Sequence, residues 1–246
     1  MTQAAPETLG APSGSEPLTA PRWRTRRSAA VAGIVFAVLL MVGLVIVRSA
    51  LSGATPSVLS ADPGRRRLLQ AGLNLVPFAG IAFLWFIGVV RDQIGVVEDR
   101  LFSTVFLGSG VLFVAMLFLG GALSAGLLQH VGASPVQTAS GLELWDYGRD
   151  ATRTLVSVYA MRMAAVFTLS VSTLAIRTGA LPRWVALLGY VEALALLLVA
   201  TDNQWVQLAF PVWVLVLSIT ILLVPAAASP ATAPVASTER TALRAE

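Results

Sequence analysis

Arg162 and Glu192 are the two residues whose type conflicts most with their surroundings. Each interrupts an otherwise apolar run, Thr154 to Ile176 for the arginine and Trp184 to Thr201 for the glutamate. A charge at the centre of hydrocarbon costs about 2.5 to 3.5 kcal/mol on insertion scales, so each asks for a partner or a wet cavity. Opposite signs on neighbouring segments predict an intramembrane pair. Such a pair is either a static bridge that sets helix register or a site for a proton or small solute. Counted from the outer ends, Arg162 lies eight residues below Thr154 and Glu192 nine below Thr201, both ~12 to 14 Å deep at 1.5 Å per residue. Counted from the connecting turn, Arg162 is fifteen residues from Arg177 and Glu192 nine from Arg183. That leaves an offset of ~9 Å, which two long side chains could bridge or which Arg162 could escape by snorkelling outward.

A second constellation is looser. Asn74, His130, Tyr159 and Asp202, with Asn203, fall towards the outer ends of their segments and could line an outward-open polar pocket. Tyr159, Arg162 and Thr173 share one face at roughly 100° per residue. Each also has a plain explanation. His130 suits the interface, and Asn74 can bond the backbone near Pro77, whose ring removes a donor and frees a carbonyl.

Other chemistry is poorly supplied. The chain has no cysteine and one histidine, which excludes disulfides and thiolate nucleophiles and leaves no set of zinc or haem ligands. It contains no HExxH, GxSxG or glycine-rich phosphate loop. No catalytic residue, cofactor or metal is expected, and the chain does not read as an enzyme. The basic residues are all arginine, scattered over tails and loops without interleaved aromatics, which argues against a nucleic-acid partner.

The elements that must position these residues are apolar and long. Of 246 residues, 56% are hydrophobic and only 12% charged, about half the charged fraction of a soluble domain. The apolar residues clump into six segments: Ser28–Val47, Leu68–Val90, Leu101 to about Gln129, Thr154–Ile176, Trp184–Thr201 and Asn203–Val224. A helix needs about 20 residues to span roughly 30 Å of hydrocarbon, and no strand-like alternation appears. The expected fold is an all-α polytopic transmembrane bundle of six spans with no sizeable soluble domain. Residues 1–27 read as a disordered cytoplasmic tail, 28–225 as the membrane domain and 226–246 as a second disordered tail. The first run is longer than a cleavable signal core, and Arg48 stands where cleavage wants small neutral residues, so it reads as a retained span.

Local signals refine this picture. Gly179, Pro182 and Trp184 form a helix stop and restart between the fourth and fifth segments. Residues 49–67 and 130–153 read as the long loops, the second placing Trp145 and Tyr147 at the interface. Gly33-xxx-Ala37, Gly121-xxx-Ala125 and Gly189-xxx-Ala193 read as close helix packing before a dimer face. Asn74 with Pro77, and Gln207 with Pro211, look alike but do not occupy matching places in an inverted repeat.

The stretches Phe83-Leu84-Trp85-Phe86-Ile87-Gly88-Val89-Val90-Arg91-Asp92 and Arg177-Thr178-Gly179-Ala180-Leu181-Pro182-Arg183-Trp184 resemble those of uncharacterised multi-helix integral membrane proteins of GC-rich bacteria. The resemblance implies a multi-pass cell-membrane protein and no particular activity or site. The functional expectation is a non-enzymatic accessory or assembly component, partnered by the lipid bilayer and by a second copy or another membrane protein. The alternative is a small-solute or proton-coupled transporter using Arg162 and Glu192.

Arginine counting places both termini in the cytoplasm, ten inside against six outside, led by Arg22, Arg24, Arg26 and Arg27 before the first span. Reporter fusions at Gly53 and Ser140 should therefore read external and one at Gly95 internal. The same side for Gly53 and Gly95 would overturn the helix count.

Overall fold

The computed structural model describes residues 22–52, 54–94, 100–133, 138–179, 181–199 and 204–223. Among them every regular element is helical: α1 (Arg22–Leu51), α2 (Pro56–Ala61), α3 (Pro63–Ile94), α4 (Arg100–Ala133), α5 (Ala139–Thr154), a π-turn (Leu155–Ala160), α6 (Met161–Thr178), α7 (Arg183–Leu198), a 3-10 turn (Gln204–Leu208) and α8 (Ala209–Leu223). Of the expected tails, 1–27 and 226–246, residues 1–21 and 226–246 lie outside the described residues; residues 22–27 are helical, because α1 begins at Arg22, ahead of the expected Ser28.

Five helical stretches are long and apolar enough to cross a membrane: Arg27–Leu51, Pro63–Arg91, Thr104–Val131, Ser140–Thr178 and Trp205–Leu223. The expected fifth segment forms α7, whose 16 residues give ~24 Å of helix, short of a full span by length alone. Its faces are sharply divided. Val185, Ala186, Gly189, Glu192, Ala193 and Leu196 turn inward, while Leu187, Val191, Leu194 and Leu198 are more than half exposed. Apolar exposure recurs on the other helices at Phe78, Ile81, Trp85 and Leu223, and surfaces of that kind suit lipid better than water.

Lipid tails are as apolar as leucine, so in a bilayer such helices would be held by fit rather than by escape from water. The fit centres on Phe83 of α3. Its ring lies 4.4 Å from Phe36 of α1, 5.2 Å from Phe113 of α4, 5.1 Å from Phe167 of α6 and 5.7 Å from Phe210 of α8. All five are fully buried, and most of the pairs among them are tilted or edge-on, the geometry that ring quadrupoles prefer. Each of the five long stretches contributes one ring. The small-residue spacings serve this packing: a Cβ on Gly33 would strike Ser218 and Phe86, and one on Gly189 would strike Ser172 and Trp213.

The fourth segment differs most from expectation. Residues 139–154, read as part of an external loop, are helical and run through the π-turn into α6, giving 39 continuous residues. The Thr138 side chain caps the start by accepting from the Gly141 backbone N–H. At 1.5 Å per residue the stretch approaches ~58 Å, about twice the hydrocarbon thickness. Its N-terminal part, α5, is amphipathic and sits on the end of α4. Trp145 is buried there against Leu59 of α2 and Val131, so it packs a small cap and is not the interfacial anchor expected, whereas Tyr147 is exposed.

Phe83→Ala should remove five ring contacts and lower thermal stability in detergent by about 3 to 5 kcal/mol if the cavity stays open. Phe78→Ala, on the exposed face of the same helix, should leave the melting temperature nearly unchanged. Equal effects would deny the cluster its central role.

Candidate functional site

The turn between α6 and α7 decides where Arg162 and Glu192 go. Gly179 ends α6 with φ +62°, in the left-handed region, and α7 restarts after Pro182. The helices then run back along each other in a fixed register. Ser172 faces Gly189, Thr173 shares a 2.8 Å hydrogen bond with the Tyr190 hydroxyl, and Thr168 is the polar side chain beside Glu192. Arg162 lies six residues, ~9 Å, further along α6 than Thr168.

The expected pair does not close. Both carboxyl oxygens of Glu192 are buried with no hydrogen-bond partner among the described residues, and so are the hydroxyls of Thr168 and Ser172. Glu192 therefore stands beside Thr168, and Arg162 stays half-buried near the π-turn. Counting from the outer ends misleads because Thr154 is not an end: the helix continues upward into α5. Counting from the turn gives the observed offset.

A different polar layer does close. Arg48, at the last turn of α1, donates from Nη2 to Gln207 Oε1 at 3.2 Å. Gln207 Nε2 donates to Ser157 Oγ at 2.7 Å. The Trp205 ring lies under the guanidinium at 5.3 Å, a cation–π distance. Gln207 and Ser157 are both buried. Ser157 belongs to the π-turn, whose extra residue turns its hydroxyl inward where α5 gives way to α6. This layer joins the end of α1 to the π-turn ahead of α6 and the 3-10 turn ahead of α8. In sequence Arg48 closes a charge-free run of twenty residues, but its partners Gln207 and Trp205 are 159 and 157 residues away.

The expected outer pocket is partly present. A cavity of about 400 Å³ lies between the start of α3 and the end of α4, lined by Pro63, Arg66, Arg67, Gln70, Leu73, Asn74, Ala125, Leu128 and Gln129. Asn74 lines it as expected. His130 is exposed next to Gln129 and Tyr159 is exposed, and neither lines it. Asp202 and Asn203 lie outside the described residues. The 100° count that put Tyr159 on the face of Arg162 and Thr173 does not hold through a π-turn. Arg66, Arg67, Gln70 and Gln129 were missed, although positions 63, 66, 67, 70 and 74 follow the helical spacing that marks one face.

No family model, curated protein or solved structure matches the chain.

Two double-mutant cycles follow from this geometry. Arg162→Ala and Glu192→Ala should destabilise additively, within about 0.5 kcal/mol, as unconnected residues do. Arg48→Met and Gln207→Leu should couple, the double variant costing less than the sum of the singles. Coupling in the first cycle, or additivity in the second, would reverse the assignment.

Proposed function

We propose that the chain is a six-span, multi-pass membrane protein of a bacterial cell membrane, with both termini cytoplasmic. Its role in this reading is that of a non-enzymatic accessory or assembly component acting beside a second copy or another membrane protein. The observation that carries the reading is the dry centre. Five buried phenylalanines from five helices meet at Phe83, where a transporter would hold its substrate path. The cavity at the α3–α4 end does not reach Glu192.

The sixth crossing in this proposal is α7 with its flanking residues. Its outward face is continuous apolar surface and its lone carboxylate turns towards α6, as ionisable residues in spanning helices do. Accessory helices need only shape and exposed faces to bind neighbours in a bilayer, and small-residue seams already used inside the bundle leave the broad apolar faces for that purpose. The resemblance to multi-helix membrane proteins of GC-rich bacteria agrees with this reading and adds no activity to it.

Full-length protein reconstituted in liposomes with an entrapped pH-sensitive dye should collapse an imposed proton gradient no faster than empty liposomes. Crosslinking in native membranes should capture it in a defined complex with itself or another membrane protein. Sustained proton flux that Glu192→Gln abolishes would overturn the accessory reading in favour of transport.

A further inference from the structure

We propose that the cavity between the start of α3 and the end of α4 is a binding site for the phosphate headgroup of an anionic phospholipid, its acyl chains lying along the adjoining faces of the two helices. The inference requires that the bundle sits in a bilayer and is independent of whether it transports anything.

The polar lining of the cavity suits a phosphate. Arg66 and Arg67 supply two guanidinium groups, and Gln70, Asn74 and Gln129 supply carboxamide N–H donors. Among the described residues no acidic side chain lines it. The nearest carboxylate in sequence, Asp62, is engaged with the Arg65 backbone N–H at 3.0 Å. Guanidinium groups bind phosphate oxygens through charge-assisted, often bidentate hydrogen bonds. Pro63 places the cavity at the first turn of α3, whose helix dipole adds positive potential there.

The apolar lining and the helix faces beyond it explain why the ligand is a lipid. Leu73, Ala125 and Leu128 line the cavity beside the polar groups. The face of α3 that carries Arg66, Arg67, Gln70 and Asn74 continues by steps of three and four to Pro77, Phe78, Ile81 and Trp85. All four are exposed, with Trp85 at 73%. On α4 the face of Ala125 and Gln129 continues to exposed Ala122 and Phe118. Phe118 packs over Gly80, so the two stripes adjoin. One surface thus changes from cationic to apolar along the helix axis, as a phospholipid changes from head to tail. Basic pockets between spanning helices bind acidic headgroups on the same principle.

Native mass spectrometry of the full-length protein in detergent, titrated separately with dioleoylphosphatidylglycerol, dioleoylphosphatidylcholine and inorganic phosphate, tests this. Phosphatidylglycerol should be retained preferentially. Arg66→Gln with Arg67→Gln should weaken its binding by about thirtyfold, from two lost charge contacts. The charge-matched control Arg91→Gln with Arg183→Gln, at the other end of the bundle, should not weaken it. Melting temperature and elution volume should match the parent in both variants, and Arg66→Lys with Arg67→Lys should restore part of the affinity if the Arg66/Arg67 variant proves poorly folded. Equal retention of phosphatidylcholine, or unchanged binding in the Arg66/Arg67 variant, would overturn the site. Inorganic phosphate binding as tightly as phosphatidylglycerol would overturn the lipid assignment in favour of a free anion.

Discussion

The arrangement of this bundle depends on one packed ring. Phe83 touches aromatic partners on α1, α4, α6 and α8 as well as Phe86 of its own helix. If the helices lie in hydrocarbon they gain nothing by burying one apolar face rather than another, and interdigitation then decides which faces meet. A cluster of flat, polarised rings has few ways to pack well, and it fixes the angular position of every helix that contributes one. Once these rings fill the centre, polar side chains have only the ends of the bundle and the seams between helices.

Both locations are used. At one end, Arg48, Gln207 and Ser157 link α1, the 3-10 turn and the π-turn through hydrogen bonds, while Arg66 and its neighbours line a cavity between α3 and α4. Above them α2 and α5 fold over the end of α4 around Leu59, Val131 and Trp145. In the seam, α7 lies against α6 through Gly189 and Ala193, and Glu192 is carried inward with them. Because α7 has no ring in the aromatic cluster, its position is set by these small residues, by the Tyr190–Thr173 bond and by contact with Trp213. A buried carboxyl beside the Thr168 hydroxyl, with no well-formed hydrogen bond between them, is the least settled part of the interior on general grounds.

This distribution bears on function. A closed aromatic centre favours action through surfaces and ends, and the end with the greater polar variety also carries the cap. The headgroup site and the accessory reading are compatible, since a lipid held between α3 and α4 would present its own surface to a neighbour in the bilayer. They remain separable, because one concerns Arg66 and Arg67 and the other the dry core and the partner.

The all-helical class, the apolar segments and the turn at Gly179 were legible in sequence because each follows from local composition: run length, helical breakers, caps. The small-residue spacings at Gly33 and Gly189 were legible as packing seams for the same reason. The helical nature of residues 139–154 was not, because their mixed polarity reads as loop until Trp145 has Leu59 and Val131 to pack against. Asn74 was recognisable as a polar group near the outer end, and the one-face spacing of Arg66, Arg67 and Gln70 lay open to the same reasoning. That α4 would bring Gln129, Ala125 and Leu128 opposite them is a long-range fact. The fate of Arg162 and Glu192 shows the boundary most clearly. Sequence alone establishes two opposite charges in adjacent apolar runs and two possible depths for them. Only the tertiary structure chooses between the depths, because the register of α6 against α7 is set at the turn by Gly179 and along the seam by Gly189, Ser172, Thr173 and Tyr190, and none of these contacts is encoded in the spacing of the charges themselves.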